Sequence, residues 1–412
     1  MNILLVNHYI GSPYYGMDFR PYYISREWVK MGHKVTMVGA TQSHLRMIQP
    51  EVDKDLTTEY IDGIQYVWIK TPSYDKSSSY KRIINMMAFV SKLLLYAKQL
   101  AKISEPDWVI ASSCYPLDIY PSRKIAKIAN AKLCFEVHDI WPLTPILVGG
   151  YSKYHPFIVT MQTAENYMCR HSDKIVSLLW NAESHYREHG FKGHFYWVRN
   201  GYCKEDWTPE VFSRPLPEQH SELFCKLKKD GKTIIGFSGG FAAAGAVHTL
   251  VEAACILKDR GNISFVLVGK GPEKESIEKI AKGSGLNNVY FLPPVAKQLI
   301  PALVSQFDIA FLGGIHSELH KYGTSPNKIT DYMLAKKPIV MSIDEPGSIV
   351  DRIQCGIRVE AENEKELANA IETILDMTEE ERNEMGLRGE KYVKENLEWG
   401  ILADKFITYL KE

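Results

Sequence analysis

The stretch Lys321 to Val340 reads K-Y-G-T-S-P-N-K-I-T-D-Y-M-L-A-K-K-P-I-V. Gly323, Thr324, Ser325 and Pro326 make a turn, a short helix follows, and an apolar strand starts at Pro338. Pro326 suits the first turn of that helix, where a missing N–H costs nothing. The unpaired N–H groups at a helix start favour an anion. Lys328 adds a full positive charge and Asp331 follows one turn later. The pattern describes a seat for a diphosphate with a carboxylate placed for a sugar hydroxyl.

A helix running straight into an apolar strand is one step of a doubly wound parallel sheet. The same alternation extends backwards through strands at Thr233–Phe237, Ser264–Val268, Val289–Leu292 and Ile309–Leu312, with helices such as Val247–Lys258 and Glu273–Lys282 between them. A short strand at Ile357–Val359 precedes three C-terminal helices. The first half repeats the theme: strands at Asn2–Val6, Val35–Val38, Ile64–Ile69, Trp108–Ala111, Lys132–Val137, Lys174–Leu179 and Tyr196–Val198. Helical patterns cover Asp18–Met31, Tyr80–Ser104, Ile119–Ala129, Pro156–His171 and Ala182–His189. Asn200-Gly201 and the polar, proline-rich run to Glu218 mark a domain boundary.

Two domains also follow from 412 residues, too many for one ordinary core. Lys plus Arg balances Asp plus Glu at 49 each, which argues against a general nucleic-acid binder. The seven cysteines are widely spaced with no C-x-x-C, a poor disulfide or zinc framework that fits a reducing, cytoplasmic setting. The first residues, M-N-I-L-L-V-N-H, read as a strand rather than a leader, and no apolar run approaches a membrane span. The first loop has no G-x-G-x-x-G and the second strand ends in Gly39 rather than an acid, so a dinucleotide fingerprint is absent.

Several other stretches bear on chemistry. Ser238 to Gly245 is a small-residue loop that either admits a ligand against the backbone or is a tight turn needed for packing. Val268 to Pro272 and Leu292 to Val295 pose the same choice. His138, in Glu136 to Pro142, ends an apolar strand and is placed to hydrogen-bond near neutral pH, while Asp139 either joins it or holds the loop. Gly16 to Arg20 heads the first helix, and Arg20 is either a reach toward an anion or a surface residue. Tyr80 to Ser104 carries Lys81, Arg82, Lys92, Lys98 and Lys102 with no acid, a composition that suits either a solvated basic side or an anionic membrane face.

Together these stretches resemble the retaining glycosyltransferases of family 4. The resemblance spans nearly the whole chain. It is carried by the first strand and loop with Arg20, Gly32-His33-Lys34-Val35, Glu136 to Pro142, Arg199-Asn200-Gly201, Gly239-Gly240, Val268 to Pro272, Leu292 to Val295 and Tyr322 to Pro338. More narrowly, the chain is similar to bacterial enzymes that add an amino sugar such as N-acetylfucosamine in O-antigen or capsule assembly. The resemblance implies a GT-B fold, α/β, with two Rossmann-like doubly wound domains facing a deep cleft. Residues 1–200, completed by a helix at about 397–412, would bind the acceptor, and 201–396 the nucleotide-sugar donor.

The activity implied is transfer of a hexosyl or N-acetylhexosaminyl group from a UDP-sugar to a lipid-diphosphate-linked or other glycan acceptor. His138 and Lys328 would be catalytic. Gly239, Gly240, Val295, Ser325, Pro326, Asn327 and Asp331 would bind the donor: Asp331 the ribose, Val295 the uracil through its backbone, the others the diphosphate and sugar. Gly16, Arg20 and Asp139 are acceptor-side candidates. No metal or cofactor is expected, since Asp344-Glu345 lacks the second Asp of a metal-holding D-x-D. No nucleic acid is expected either, and the setting implied is cytoplasmic, peripheral on the inner membrane face through 80–104. The family pairs two glutamates around seven residues; here the second is Asp331 and the first is replaced by Gly323. The usual basic residue beside the Gly239 loop is missing, with His248 nearby. Those departures keep two other readings open, a GT-B sugar-nucleotide epimerase and an inactive partner subunit.

Overall fold

The structure is a computed structural model, described here for residues 1–17, 19–74 and 80–412. The chain divides into two compact units, Met1–Asn200 with Trp399–Glu412, and Gly201–Glu398.

In the first unit the strands are β1 (Asn2–Val6), β2 (Lys34–Ala40), β3 (Thr57–Ile61), β4 (Ile64–Ile69), β5 (Trp108–Ala111), β6 (Lys132–Val137), β7 (Lys174–Ser177) and β8 (His194–Trp197). Its helices are α1 (Arg20–Lys30), α2 (Tyr80–Leu95), α3 (Ala97–Ser104), α4 (Ile119–Ala129), α5 (Leu143–Leu147), α6 (Pro156–His171) and α7 (Glu183–Glu188). The sheet order is β3-β4-β2-β1-β5-β6-β7-β8. Every pairing is parallel except β3 with β4, which is antiparallel. The interior parallel strands are covered on both faces, hence their continuous apolar runs. β3 alternates between half-buried and exposed residues, as an edge strand with one open face does.

The expected single helix over Tyr80–Ser104 is two helices, α2 and α3, bent by 70° at Tyr96. No proline or glycine lies there; the bend keeps Met86, Phe89 and Leu93 on one side of it and Leu100 on the other in the core. The Tyr96 hydroxyl donates to Asp55 at the corner. Lys92, one of the basic residues of this stretch, pairs with Asp55 at 3.0 Å and donates to the Lys70 carbonyl. Five large apolar or aromatic residues of α2 face outward, Tyr80, Ile83, Ile84, Met87 and Leu95, alongside the exposed Lys81 and Ser91. Among the described residues no single helix is long and apolar enough to cross a membrane. The first residue expected in the first helix, Asp18, lies outside the described residues; α1 starts at Arg20.

The second unit contains β9 (Thr233–Gly240), β10 (Ile263–Lys270), β11 (Val289–Leu292), β12 (Ile309–Gly313), β13 (Ile339–Ser342) and β14 (Gly356–Val359). Its helices are α8 (Glu218–Lys229), α9 (His248–Ile256), α10 (Lys274–Gly283), α11 (Ile300–Ser305), α12 (Asn327–Leu334), α13 (Ile349–Ile353), α14 (Glu364–Leu375) and α15 (Glu379–Asn396). The sheet is parallel throughout, in the order β11-β10-β9-β12-β13-β14. Capping boxes start α13 at Ser348 and α15 at Thr378, each with an acid three residues on.

The last helix, α16 (Trp399–Lys411), belongs to the first unit, beginning two residues later than the expected 397. Its amphipathic spacing explains why. Trp399 stacks on Tyr23, Phe406 packs edge-on against Trp28, and the Trp28 indole donates to the Ala403 carbonyl at 3.1 Å.

Both sheets have one interior strand where the chain reverses its direction of growth. β1 lies between β2 and β5, and β9 lies between β10 and β12. Loops leaving the two strands at such a point diverge to opposite faces and open a crevice at their carboxyl ends. His8 and Ser112 stand at those ends in the first unit, Gly239 and Gly313 in the second.

Candidate functional site

In the second unit, the carboxyl ends of β9 and β10 line a pocket of about 300 Å³ with Gly239, Gly240, Gly269, Val295 and Ile300. β9 extends through Gly240, so the glycine pair is the end of a strand rather than a loop. Gly269 is the register partner of Gly239, and a side chain on it would collide with the Gly239 carbonyl. Gly239 itself has φ +154°, and a Cβ there would lie 2.5 Å from Lys328 Nζ. Glycine at 239 thus lets the ammonium reach the strand end. Lys328 Nζ also sits 4.5 Å above the centre of the Phe237 ring, a cation–π contact.

Helix α12 brings Lys328 there. Its Tyr332 is fully buried and its hydroxyl accepts from the Ser238 N–H at 3.2 Å, fastening helix to strand. Pro326 is the residue before the helix, in an extended conformation, not part of its first turn. Asn327 is exposed and Ser325 half-buried in the same turn. Burial pulls the Lys328 ammonium down to about 8, with Asp331 opposing. Burial pushes the Asp331 carboxyl up to about 7, with Lys297 and Lys328 opposing.

One residue at this turn carries no sequence signal. Glu345, after β13, is 2% exposed, and its carboxylate accepts from the Thr324 hydroxyl at 2.5 Å. His248, the residue nearest the missing basic position, starts α9 and faces Glu362 at 3.6 Å. Asp53-Lys54-Asp55 spells a D-x-D, but Asp55 is committed to Lys92 and Tyr96 in the first unit.

In the first unit, His138 follows β6. Its Nε2 lies 3.0 Å from Ser112 Oγ and 3.1 Å from Glu136 Oε2. Its two oxygen partners, one of them a carboxylate, call for a proton on Nε2. Ser112 in turn donates to Glu136 at 2.6 Å. Arg20 is not at the surface: it is buried, pairs with Glu136 at 2.9 Å and donates to the Arg199 carbonyl at 2.5 Å. It holds Glu136, while its Nη2 is buried without a hydrogen-bond partner among the described residues. Burial alone would push Glu136 up, but Arg20, His138 and Ser112 outweigh it and bring the carboxyl down to about 2.

Asp139 serves its own loop. Its carboxylate accepts from the Ile140 N–H, the Trp141 indole and the Thr144 hydroxyl. Gly16 ends a short 3-10 turn with φ +64° and has no room for a side chain beside Met47. Sequence reasoning singled out His138 but not Ser112 or the role of Glu136; a polar pair ending two adjacent apolar strands was the available signal.

The fold is GT-B. The trehalose-6-phosphate structure from E. coli bound with UDP-2-fluoro glucose superposes with TM-score 0.73 at 14% identity, covering 100% of this chain and 99% of that one. Anabaena HepE in complex with UDP and glucose superposes with TM-score 0.64, also at 14% identity, covering 100% of both chains. Residues 232–377 match the model of the family Glycosyl transferases group 1. Among curated proteins, the chain is 32% identical over 108 residues to the putative colanic acid biosynthesis glycosyl transferase WcaI of Escherichia coli (strain K12), 25% of each chain. It is 27% identical over 161 residues to the alpha-D-kanosaminyltransferase of Streptomyces kanamyceticus, 38% of this chain and 40% of that one. The matched part thus spans well under half the length of these curated relatives.

Two predictions follow from the charges. Glu136→Gln leaves Arg20 buried without a counter-charge and should destabilise the first unit by about 3–5 kcal/mol in urea unfolding. The double variant Arg20→Met/Glu136→Leu should cost less than either single change; equal or greater loss would show that the pair contributes net stability.

Lys328 gives the opposite sign. Its folded pKa is lowered, so the folded protein resists its charge; that cost stands in full below about pH 8 and fades between 8 and the ordinary 10.5. Lys328→Met should raise the melting temperature of the second unit by about 2–4 °C at pH 7, with the gain gone near pH 10.5. A pH-independent gain would point to packing instead.

Proposed function

We propose that this protein is a glycosyltransferase that uses a UDP-sugar as donor. The observation that carries the reading is the Lys328 ammonium at the glycine-lined end of β9, beside the pocket that ends in Val295. Support comes from the group 1 match over the same unit and from fold neighbours described with UDP-2-fluoro glucose or with UDP and glucose.

Breaking the anomeric C–O bond leaves negative charge on the nucleoside diphosphate as the sugar becomes oxocarbenium-like. Lys328 and the free N–H groups that start α12 stabilise that charge. A diphosphate also relieves the resisted charge on Lys328, so binding and protonation reinforce one another. Asp331 holds the ribose hydroxyls and Val295 the uracil, with Gly239 and Gly240 under the phosphates and Ser325, Pro326 and Asn327 around the sugar end. The role proposed for His138 is a hydrogen bond between Nδ1 and a sugar hydroxyl. Transfer proceeds with retention, the departing phosphate helping to deprotonate the acceptor, and no metal takes part. The acceptor is a lipid-diphosphate-linked glycan of bacterial surface polysaccharide, and the donor sugar an N-acetylated amino sugar. The relatives named for colanic acid synthesis and for kanosamine transfer lend support to those two choices.

Incubation with labelled UDP-sugars and lipid-diphosphate glycans tests the reading. Lys328→Ala should weaken UDP binding and lower turnover by about 10²–10³-fold. Undiminished turnover in that variant would remove Lys328 from the site, and no UDP binding by the wild-type protein would end the enzyme reading.

We propose further that the protein sits on an anionic membrane through the exposed apolar residues Ile83, Ile84 and Met87 of α2, with Lys81 beside them. The triple change Ile83→Glu/Ile84→Glu/Met87→Glu should abolish co-flotation with anionic vesicles. Binding that persists would assign the contact elsewhere.

A further inference from the structure

Apart from the donor pocket and the His138 network, the first unit holds a second polar cluster, between α6 and α7. Glu165 of α6 is buried, with a side chain 1% exposed. His185 of α7 is nearly as buried and its Nε2 lies 2.7 Å from Glu165 Oε1. His189, at the carboxyl end of α7, places its Nε2 3.9 Å from Glu165 Oε2. One ligand atom from each of the three residues lies within 4.8 Å of the others.

We propose that Glu165, His185 and His189 form a binding site for a zinc-class divalent cation. Four features support it. First, the spacing: bonds of about 2.0–2.2 Å in a tetrahedral site put ligand atoms about 3.3 Å apart. One ligand atom from each residue falls within 4.8 Å of the others, with His185 Nε2 2.7 Å from Glu165 Oε1 and His189 Nε2 3.9 Å from Oε2, close enough for small side-chain shifts to reach that spacing. Second, the two histidines are four residues apart, which turns both rings to one face of the helix, with centroids 4.4 Å apart. Third, the tautomer: the Nδ1 of His189 lies 2.8 Å from the His185 carbonyl and donates to it, leaving Nε2 with the lone pair a metal needs. Fourth, the second Glu165 oxygen accepts from Gln162 at 2.7 Å, which orients the carboxylate.

In the metal-free protein a proton shared by Glu165 and His185 holds the cluster together. A cation takes its place at Nε2, and the His185 ring, kept neutral, carries its proton on Nδ1. The His189 side chain is 27% exposed, so the ion has a path in and a fourth position for water. The ion then fastens α6 to α7, two helices joined otherwise through β7. This site does not depend on the glycosyltransferase reading, and no residue of the donor pocket takes part.

The test uses the full chain, stripped with chelator, and zinc chloride alone. Isothermal titration should show one saturable equivalent. Cobalt chloride should give visible absorption bands of four-coordinate intensity. His189→Gln is the decisive variant, because the site is half-open there and glutamine keeps a hydrogen-bond donor. It should weaken zinc binding at least tenfold and abolish the cobalt bands, while circular dichroism stays unchanged. His316→Ala should bind zinc as the wild type does, since the other cluster, His316 with Asp344 and Glu360, is mostly exposed. No stoichiometric zinc, unchanged binding by His189→Gln, or loss of binding in His316→Ala would each overturn the proposal.

Discussion

β9 lies between two parallel partners, β10 on one side and β12 on the other, and the candidate donor site depends on that arrangement. Parallel pairing aligns the carboxyl ends of all three strands, and reversal of growth at β9 sends their loops apart. The close approach of Gly269 to the Gly239 carbonyl leaves no space for a side chain between the strand ends. The opening so formed is where Lys328 arrives from α12. Tyr332 fixes the angle of arrival through its bond to Ser238. A side chain at 239 or 269 would disturb the seat without touching any ligand. In the first unit β1 stands in the same position between β2 and β5, and Ser112 and His138 lie at the ends of β5 and β6.

The two units bury charge in contrasting ways. Arg20 and Glu136 answer each other directly, and Ser112, His138 and the Arg199 carbonyl take up further hydrogen bonds. The outcome is a carboxylate held ionised far into acid. Such a network is rigid and holds a proton on His138 Nε2. Lys328 and Asp331 attract one another too little to offset burial, so each is displaced toward its neutral form. Burial holds Arg20 below its usual value as well, so Glu136 is the group whose charge the first network favours.

Much of the architecture was legible because parallel strands buried on both faces leave unbroken apolar runs, and turns between them leave glycine and proline. Lys328 and Asp331 were legible because a helix start and its first turn are local. What was hidden depends on distant partners. β3 was hidden because its alternation is weak and its one partner is β4. The bend at Tyr96 has no proline or glycine to announce it and arises from packing on both sides. The burial of Arg20 was hidden because its counter-charge, Glu136, lies far along the chain. The three bonds that Asp139 accepts were not legible because its donors are supplied by a loop whose shape no spacing rule describes.

Gly323 shows the limit of spacing most directly. Read along the chain, it replaces an acid, which leaves the turn before α12 with no carboxylate of its own. In space the turn does have one. Glu345 comes from the segment after β13, is almost fully enclosed, and meets the Thr324 hydroxyl, one residue from Gly323. β13 is the neighbour of β12 in the sheet, so its carboxyl end emerges on the same edge as the turn that precedes α12. The topology can therefore deliver an acid to this turn from a strand as readily as from the turn itself. A motif that counts residues records only the second route, and the absence of an acid at one position does not mean that the site lacks one.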